Sequence, residues 1–250
     1  MIQAIDVCKS FEDGHKVLDH VNVTFLPGKT NLIIGQSGSG KTVLLKSLVG
    51  LHKIDSGQIL YGDIPFNNCS LEQMRQIRKQ MGMIFQGGAL LDSSTVQENV
   101  RFPLDVFTSW SMAQKMERVN FCLERVQLVG ANDKYPSELS GGMTKRTAIA
   151  RAIVMNPKFL FCDEPNSGLD PLTSVIIDNL IQEITQEYNI TTIVNTHDMN
   201  SVMEIGDTVT FIYQGHVGWR GSKDDILEAE VQELSDFVFA SSMAKKVRGR

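Results

Sequence analysis

The sequence predicts an α/β fold: a mainly parallel sheet covered by helices, an antiparallel β layer near the N-terminus and a helical subdomain. Two observations predict the main sheet. Short, wholly apolar runs end in turn residues, and amphipathic helical patterns follow or precede them, an alternation that buries strands on both faces. A third observation sets the N-terminal region apart: its strands are short, turn-bounded and follow one another without helices.

In order, "MIQAIDVCKSF", "VLDHVNVTFLPGKT" and "SGQILYGD" form the antiparallel layer. "TNLIIG" is a buried strand that leads into "GQSGSGKTVLLKSLVG", where Val43, Leu44 and Leu48 have helical spacing and Gly50 is a C-cap candidate. From Ser70 to about Asn132 the pattern is mostly helical with few strand signals. A helical subdomain is expected over about 87–157. "KFLFCDEP" and "TTIVNTH" are further apolar strands, separated by the helical "PLTSVIIDNLIQEITQEY". "TVTFIYQGHVGWRG" reads as a hairpin about Gln214 and Gly215. Between Lys223 and Phe239, Ile226, Leu227, Val231, Leu234 and Val238 lie near helical spacing. This divides the chain into a main domain over 1–221 and a helical tail over 222–250.

The 250 residues suffice for one large or two small domains, and 42% hydrophobic residues supply a sizeable core. Net charge is −5, which gives no general attraction to nucleic acid. Only the terminal "AKKVRGR" is strongly basic; it reads either as a solvated end or as a membrane-surface or partner contact. Cys8, Cys69, Cys122 and Cys162 form no CxxC pair and show no metal-ligand spacing, as expected of reduced, mostly buried thiols. No apolar run reaches the ~20 residues needed to span a bilayer, and the opening residues lack the layout of a secretory signal. Any membrane role is therefore expected to work through partners.

The chemistry begins with "GQSGSGKT", which fits G-x-x-x-x-G-K-[ST]. Gly35, Gln36, Ser37, Gly38, Ser39 and Gly40 form a loop whose N–H groups turn inward on phosphate oxygens. Lys41 supplies charge to the β- and γ-phosphates, Thr42 offers a hydroxyl to Mg²⁺, and the helix that starts there adds its positive end. This marks a P-loop nucleotide triphosphatase core binding ATP with Mg²⁺. "FLFCDE" delivers Asp163 to the C-terminal edge of the sheet, where it is expected to hold Mg²⁺ through water. Glu164 follows it, pointing another way from an extended strand, and is a candidate base for the attacking water. His197 reaches the same edge and is a candidate to contact the γ-phosphate or orient that water. Gln86, after the apolar run in "MIFQGG", is a candidate to sense Mg²⁺ or the water. Phe11 is a candidate to stack on adenine, although on its own a core role is the simpler reading.

A second glycine-led helix start, "SELSGGMTKRTAIARAIV", has no lysine in the cradle position and no carboxylate strand behind it. Ala148, Ile149, Ala152 and Ile153 commit one face to packing, with Lys145, Arg146 and Arg151 elsewhere. A helix end alone contributes about 0.3–1 kcal/mol, ~2 when partly buried. That is too little to hold a nucleotide and enough to sense one held elsewhere. The simplest arrangement is a second copy in head-to-tail contact, each cradle closed by Ser140, Gly141 and Gly142 of the other, with Asp170 of "SGLDP" crossing the interface.

The ordered set "GQSGSGKT", "FQ", "LSGG", "FLFCDEP", "SGLDP" and "TH" resembles the nucleotide-binding domain of ATP-binding-cassette (ABC) proteins over almost the whole chain. The resemblance implies ATP sandwiched in a dimer, Glu164 as general base, His197 as switch histidine, Phe11 as the adenine-stacking aromatic, and docking of membrane permease subunits by the helical insertion after Gln86. More finely, "MGMIFQGGALLDSSTVQENVRFPL" and "LSGGMTKRTAIARAI" resemble MlaF-type ATPases of bacterial lipid transporters that work with MCE-domain proteins. That resemblance implies a phospholipid or related substrate moved between envelope membranes. It also implies a place at the cytoplasmic face of the inner membrane, and partners that include an MCE-type protein and a small regulatory subunit. Met143 stands where most cassettes carry Gln, so any role of that amide is not carried over. Two rivals remain: a small-solute importer, and a soluble cassette ATPase acting on nucleic acid or ribosomes, which would call for a tandem cassette, a coiled coil or basic patches.

Overall fold

In a computed structural model, residues 1–11 and 14–239 are described, so "AKKVRGR" lies outside the described residues. Strands β1 (Ile2–Ser10), β2 (Lys16–Phe25), β4 (Ser56–Tyr61) and β5 (Ile64–Pro65) form an antiparallel sheet in the order β2-β1-β4-β5. Strands β3 (Thr30–Ile34), β6 (Met81–Ile84), β7 (Phe159–Asp163), β8 (Thr191–Asn195), β9 (Thr208–Tyr213) and β10 (His216–Gly221) form the main sheet in the order β10-β9-β3-β8-β7-β6. All of its pairings are parallel except the β9–β10 hairpin. Gln214 and Gly215 turn that hairpin with φ of 46° and 82°, the two positive angles a two-residue turn of matching twist needs.

Side chains of the central strands alternate between two cores, as a pleated strand requires. Ile33, Phe161 and Ile193 face helix α1 (Lys41–Leu48) through Leu44, Leu45 and Leu48, and beyond it the antiparallel layer through Ile2, Leu18 and Phe25. Leu32, Ile34, Leu160, Cys162 and Val194 face the other way. There they meet α5 (Gly141–Ile153) and α6 (Pro171–Glu187), with α3 (Val96–Phe107) and α4 (Met112–Arg125) extending the same core. Helix α2 (Leu71–Arg78) follows the antiparallel layer, α7 (Met199–Ile205) follows β8, and α8 (Gln232–Val238) packs on β10.

The helical reading of Ser70 to Asn132 needs one correction. Met81–Ile84 is a strand of the main sheet, paired with β7, and the helical subdomain begins only after it. Gly82 interrupts the apolar pattern because a Cβ there would lie 2.4 Å from the Ala152 carbonyl oxygen at the end of α5. Among the described residues, the helical pattern from Lys223 to Phe239 is split into a single turn at Asp225–Leu227 and α8. No helix among the described residues is long and apolar enough to cross a membrane.

Candidate functional site

The loop from Gly35 to Gly40 joins β3 to α1 at the C-terminal edge of the main sheet. Gly40 adopts φ 108°, and a Cβ there would sit 2.6 Å from the Val17 carbonyl oxygen, so only glycine fits. Gln36, Ser37 and Gly38 are exposed at the rim. Lys41 is buried, and its Nζ donates to the Gly35 and Gln36 carbonyls at 2.9 Å each. Burial lowers the Lys41 pKa, while Glu164 and Asp163 pull it back up. The Ser39 hydroxyl is buried in this loop without a hydrogen-bond partner. A concave loop at a helix start, a buried cation and an orphaned hydroxyl fit a polyphosphate.

Below the loop, Asp163 ends β7 and is buried. Its Oδ1 accepts from Thr42 Oγ1 at 3.3 Å and from Asn195 Nδ2 at 2.6 Å, and Asn195 Nδ2 also donates to Thr42 Oγ1 at 3.0 Å. A hydroxyl beside a carboxylate offers the hard oxygen donors that suit Mg²⁺. Asn195 is a residue the sequence reading missed: it ends β8 one strand over, and only the parallel register, Asp163 opposite Asn195, reveals it.

Glu164 corrects the expectation of an extended residue. The chain leaves β7 through Glu164 at φ 47°, a left-handed conformation that costs roughly 1 kcal/mol or more in a non-glycine residue. Its N–H donates to the Asn195 carbonyl at 2.9 Å. The turn directs its carboxylate away from Asp163 and into two side-chain contacts. Gln86 Nε2 donates to Oε2 at 3.1 Å, and His197 Nδ1 lies 2.9 Å from Oε1. With Nδ1 engaged, Nε2 is left to serve the cleft that His197 lines. β8 stops at Asn195, so His197 lies two residues past the strand and is exposed.

Helix α5 holds this assembly from behind. Lys145 is buried rather than solvated, and its ammonium donates to the Gln86 carbonyl. Arg151 donates to the Gly88 and Ala89 carbonyls at 2.7 and 2.8 Å. Burial lowers the pKa of both cations. A second missed group lies beneath: Asn166 Nδ2 donates to Asp178 Oδ2 at 3.2 Å and to Ser201 Oγ at 2.8 Å, all three side chains being buried. This triad joins the segment after Glu164 to the helix after His197.

The candidate residues do not converge on one cleft. Gly35–Gly38, Gly40, Lys41, Thr42, Gln86, Glu164 and His197 line a cleft of about 790 Å³, together with Val17 and Phe237. Ser140, Gly141, Gly142 and Asp170 line a separate one of about 560 Å³. Ser140 caps α5 through Met143 N at 3.3 Å, and Asp170 caps α6 through Leu172 and Thr173 N–H at 3.1 and 3.0 Å. Phe11 lines neither; its exposed ring meets His52 edge-on, at 5.6 Å between centroids, under Lys9.

A phosphate cradle with a carboxylate, glutamate and histidine at one sheet edge, and a glycine-led helix start in a separate cleft, define an ATPase of the cassette class. The ABC transporter family profile matches residues 18–167, and the chain belongs to this family of transporter ATPases. It is 40% identical over 240 residues to the methionine import ATP-binding protein MetN of Clostridium tetani, covering 95% of this chain and 74% of that protein. It is 32% identical over 237 residues to the probable ribonucleotide transport ATP-binding protein mkl of Mycobacterium tuberculosis, covering 95% of this chain and 66% of that protein. Among solved structures, cbiO1 of Clostridium perfringens, part of the ABC transporter complex cbiONQ, aligns with TM-score 0.84 at 29% identity over 99% of this chain and 98% of that one. The ATP-binding cassette MJ0796, solved as a dimer in a post-hydrolysis state with ADP and Pi, aligns with TM-score 0.81 at 30% identity over 89% of this chain and 99% of that one.

Proposed function

We propose that this ATPase powers a transporter of phospholipid or a related lipid between bacterial envelope membranes, with integral-membrane permease subunits and an MCE-type partner. One observation carries the reading: how the run from Gln86 to Leu104, which bears the finer resemblance, is built. Lys145 and Arg151 clamp its first residues. Asn99, fully buried, binds the Leu91 backbone through both N–H and carbonyl, and Thr95 with Glu98 forms a capping box on α3. Beyond this rigid stretch, Phe102, Val106, Phe107, Trp110 and Met112 are exposed, an apolar ridge suited to a membrane subunit. The protein would then sit at the cytoplasmic face of the inner membrane, held by its partners, with the described part of the C-terminal tail capping the domain's own core through Ile226, Leu234 and Val238.

Two copies share each reaction. The loop Gly35–Gly40 and Lys41 bind the phosphates of ATP, and Thr42 and Asp163 would hold Mg²⁺ with Gln86 beside it. Bound Mg²⁺ supplies charge neutralisation at the phosphate oxygens. Glu164 takes the proton of the water aimed at the terminal phosphorus, and His197 keeps that carboxylate oriented. Ser140, Gly141, Gly142 and Asp170 of the other copy close the site. The separation of the two clefts within one chain supports this division. Mixing Lys41→Ala with Ser140→Arg protein tests it: mixed pairs regain one whole site and part of the ATPase activity. If hybrids form and no activity returns, the shared site is refuted.

Identity to a methionine import protein favours a second reading, a small-solute importer. Affinity purification from membranes separates the two. Recovery of a permease with an MCE-type protein supports lipid transport; a permease with a soluble solute-binding protein overturns it in favour of import.

A further inference from the structure

The nucleotide site uses none of a second cluster of metal-ligating side chains, on the antiparallel layer. Cys8, Asp19 and His20 each offer a ligand atom, and these atoms all lie within 4.8 Å of one another. His216 Nε2, from the start of β10, lies 3.6 Å from Asp19 Oδ2, and His20 Nε2 lies 3.6 Å from Asp19 Oδ1. We propose that Cys8, Asp19 and His20 form a site for a borderline divalent transition-metal ion of the Zn²⁺ class, with His216, which now reaches only Asp19, closing on the ion as the fourth ligand. One thiolate, two imidazoles and one carboxylate match the donor preference and four-fold coordination of that ion.

Three features support a ligand site over chance proximity. Asp6 Oδ1 lies 2.6 Å from His20 Nδ1, so the carboxylate fixes the ring and leaves Nε2 as the ligating nitrogen, the usual outer arrangement of a metal-bound histidine. The His20 N–H donates to Cys8 Sγ at 3.3 Å, which holds the sulfur at the cluster. Asp6 and His20 both adopt left-handed backbone, φ 55° and 53°, on facing strands whose pairing slips between Ala4 and Val7 and again between Val7 and Lys9. That irregularity brings these side chains together from strands that would otherwise run past one another.

Metal binding has a defined exchange. The Cys8 proton goes to solvent, and the Lys16 ammonium, 3.0 Å from Asp19 Oδ1, leaves that carboxylate. The cluster also borders the cradle. Asp19 N donates to the Gly215 carbonyl at 3.0 Å, Gly215 N donates to the Ser39 carbonyl at 3.1 Å, and Val17 packs under Gly40. An ion joining β1, β2 and β10 therefore braces the support of the phosphate loop, and it reaches the nucleotide only through that backbone.

Co²⁺ titration of the untagged full-length protein in saturating Mg²⁺ tests the site, followed by displacement with Zn²⁺. The expected result is one ion per chain, with a thiolate-to-metal absorption that vanishes in Cys8→Ser and a tenfold or greater loss of affinity in His20→Ala. Lys16→Met binds the ion more tightly than wild type, because the competing ammonium is gone. Zn²⁺ raises the melting temperature of wild type and leaves a Cys8→Ser/Asp19→Asn/His20→Ala variant unchanged, that variant's melting transition confirming that it folds. Equal Co²⁺ binding by wild type and the triple variant, or absorption that survives Cys8→Ser, overturns the proposal.

Discussion

Replacing Asp178 by asparagine tests how the buried triad beneath the switch residues is balanced. Asp178 lies on α6 at 3% exposure, and its Oδ1 has no hydrogen-bond partner. Burial first, with Asp198 and Glu204 adding and Ser201 and Asn166 opposing, pushes the carboxyl from 3.8 up to about 6. The folded protein therefore holds this proton more tightly than the unfolded chain does. Asp178 contributes its stabilisation in full below about pH 4, loses it as pH rises through about 6, and is constant above. At roughly 1.4 kcal/mol per pKa unit, the difference is about 3 kcal/mol. The substituted amide cannot ionise and keeps an oxygen to accept from Asn166, so at pH 7.5 Asp178→Asn is expected to be about 1–3 kcal/mol more stable than wild type. For a chain of this size that is a rise of about 2–12 °C in Tm. At pH 4 the advantage disappears. Denaturant unfolding at pH 4, 6 and 7.5 measures it. A stability difference that stays the same across that range would refute the assignment of an uncompensated buried carboxyl.

Two further outcomes concern turnover. Glu164→Gln keeps its contacts with Gln86 and His197 sterically possible while removing the base, so ATP binding is retained and phosphate release falls about 10²–10⁴-fold; near-normal hydrolysis would remove Glu164 from the role. Asn195→Ala deletes donors to Asp163 and Thr42, of which the bond to the charged group is worth about 1.5–3 kcal/mol. Its Mg²⁺ half-saturation should shift about tenfold or more in ATPase titrations, with metal-free nucleotide binding little changed, and an unaltered Mg²⁺ curve would place Asn195 in a purely structural role.

The parts of this site that were legible in the sequence are those whose chemistry is contiguous. Gly35 to Thr42 folds as one loop and helix start, so residue type and spacing specify it without knowledge of neighbours. Ser140 and Asp170 were legible for the same reason, each being the cap of the helix it opens. Asn195, Lys145 and the Asn166–Asp178–Ser201 group were not, because each acts through a partner 12 to 153 positions away that only sheet register or helix packing supplies. β6 was hidden by its brevity and by Gly82, whose packing reason lies on α5. Glu164 shows the opposite failure. The sequence brought Glu164 to the sheet edge but not its conformation, because a left-handed residue after a strand leaves no mark in hydrophobic pattern.

Under the proposed shared site, helix α5 explains why one chain carries two glycine-led helix starts. Its first residues, Ser140 to Gly142, face one cleft, and its middle, Lys145 and Arg151, grips the carbonyls of Gln86 to Ala89 beside the other. Gln86 in turn holds the Glu164 carboxylate, and the chain that follows it becomes α3 and the exposed Phe102–Met112 ridge. A force on the helix tip therefore reaches the outer ridge through charge-assisted bonds to backbone, and the Glu164 carboxylate through the Gln86 side chain. Such a linkage can bias closure only by as much as nucleotide binds more tightly to the closed pair than to the open one. A helix tip worth about 0.3–2 kcal/mol supplies a differential of that order per site, and two sites related by a two-fold axis double it. That makes closure responsive to the terminal phosphate without holding the pair shut once the phosphate has left.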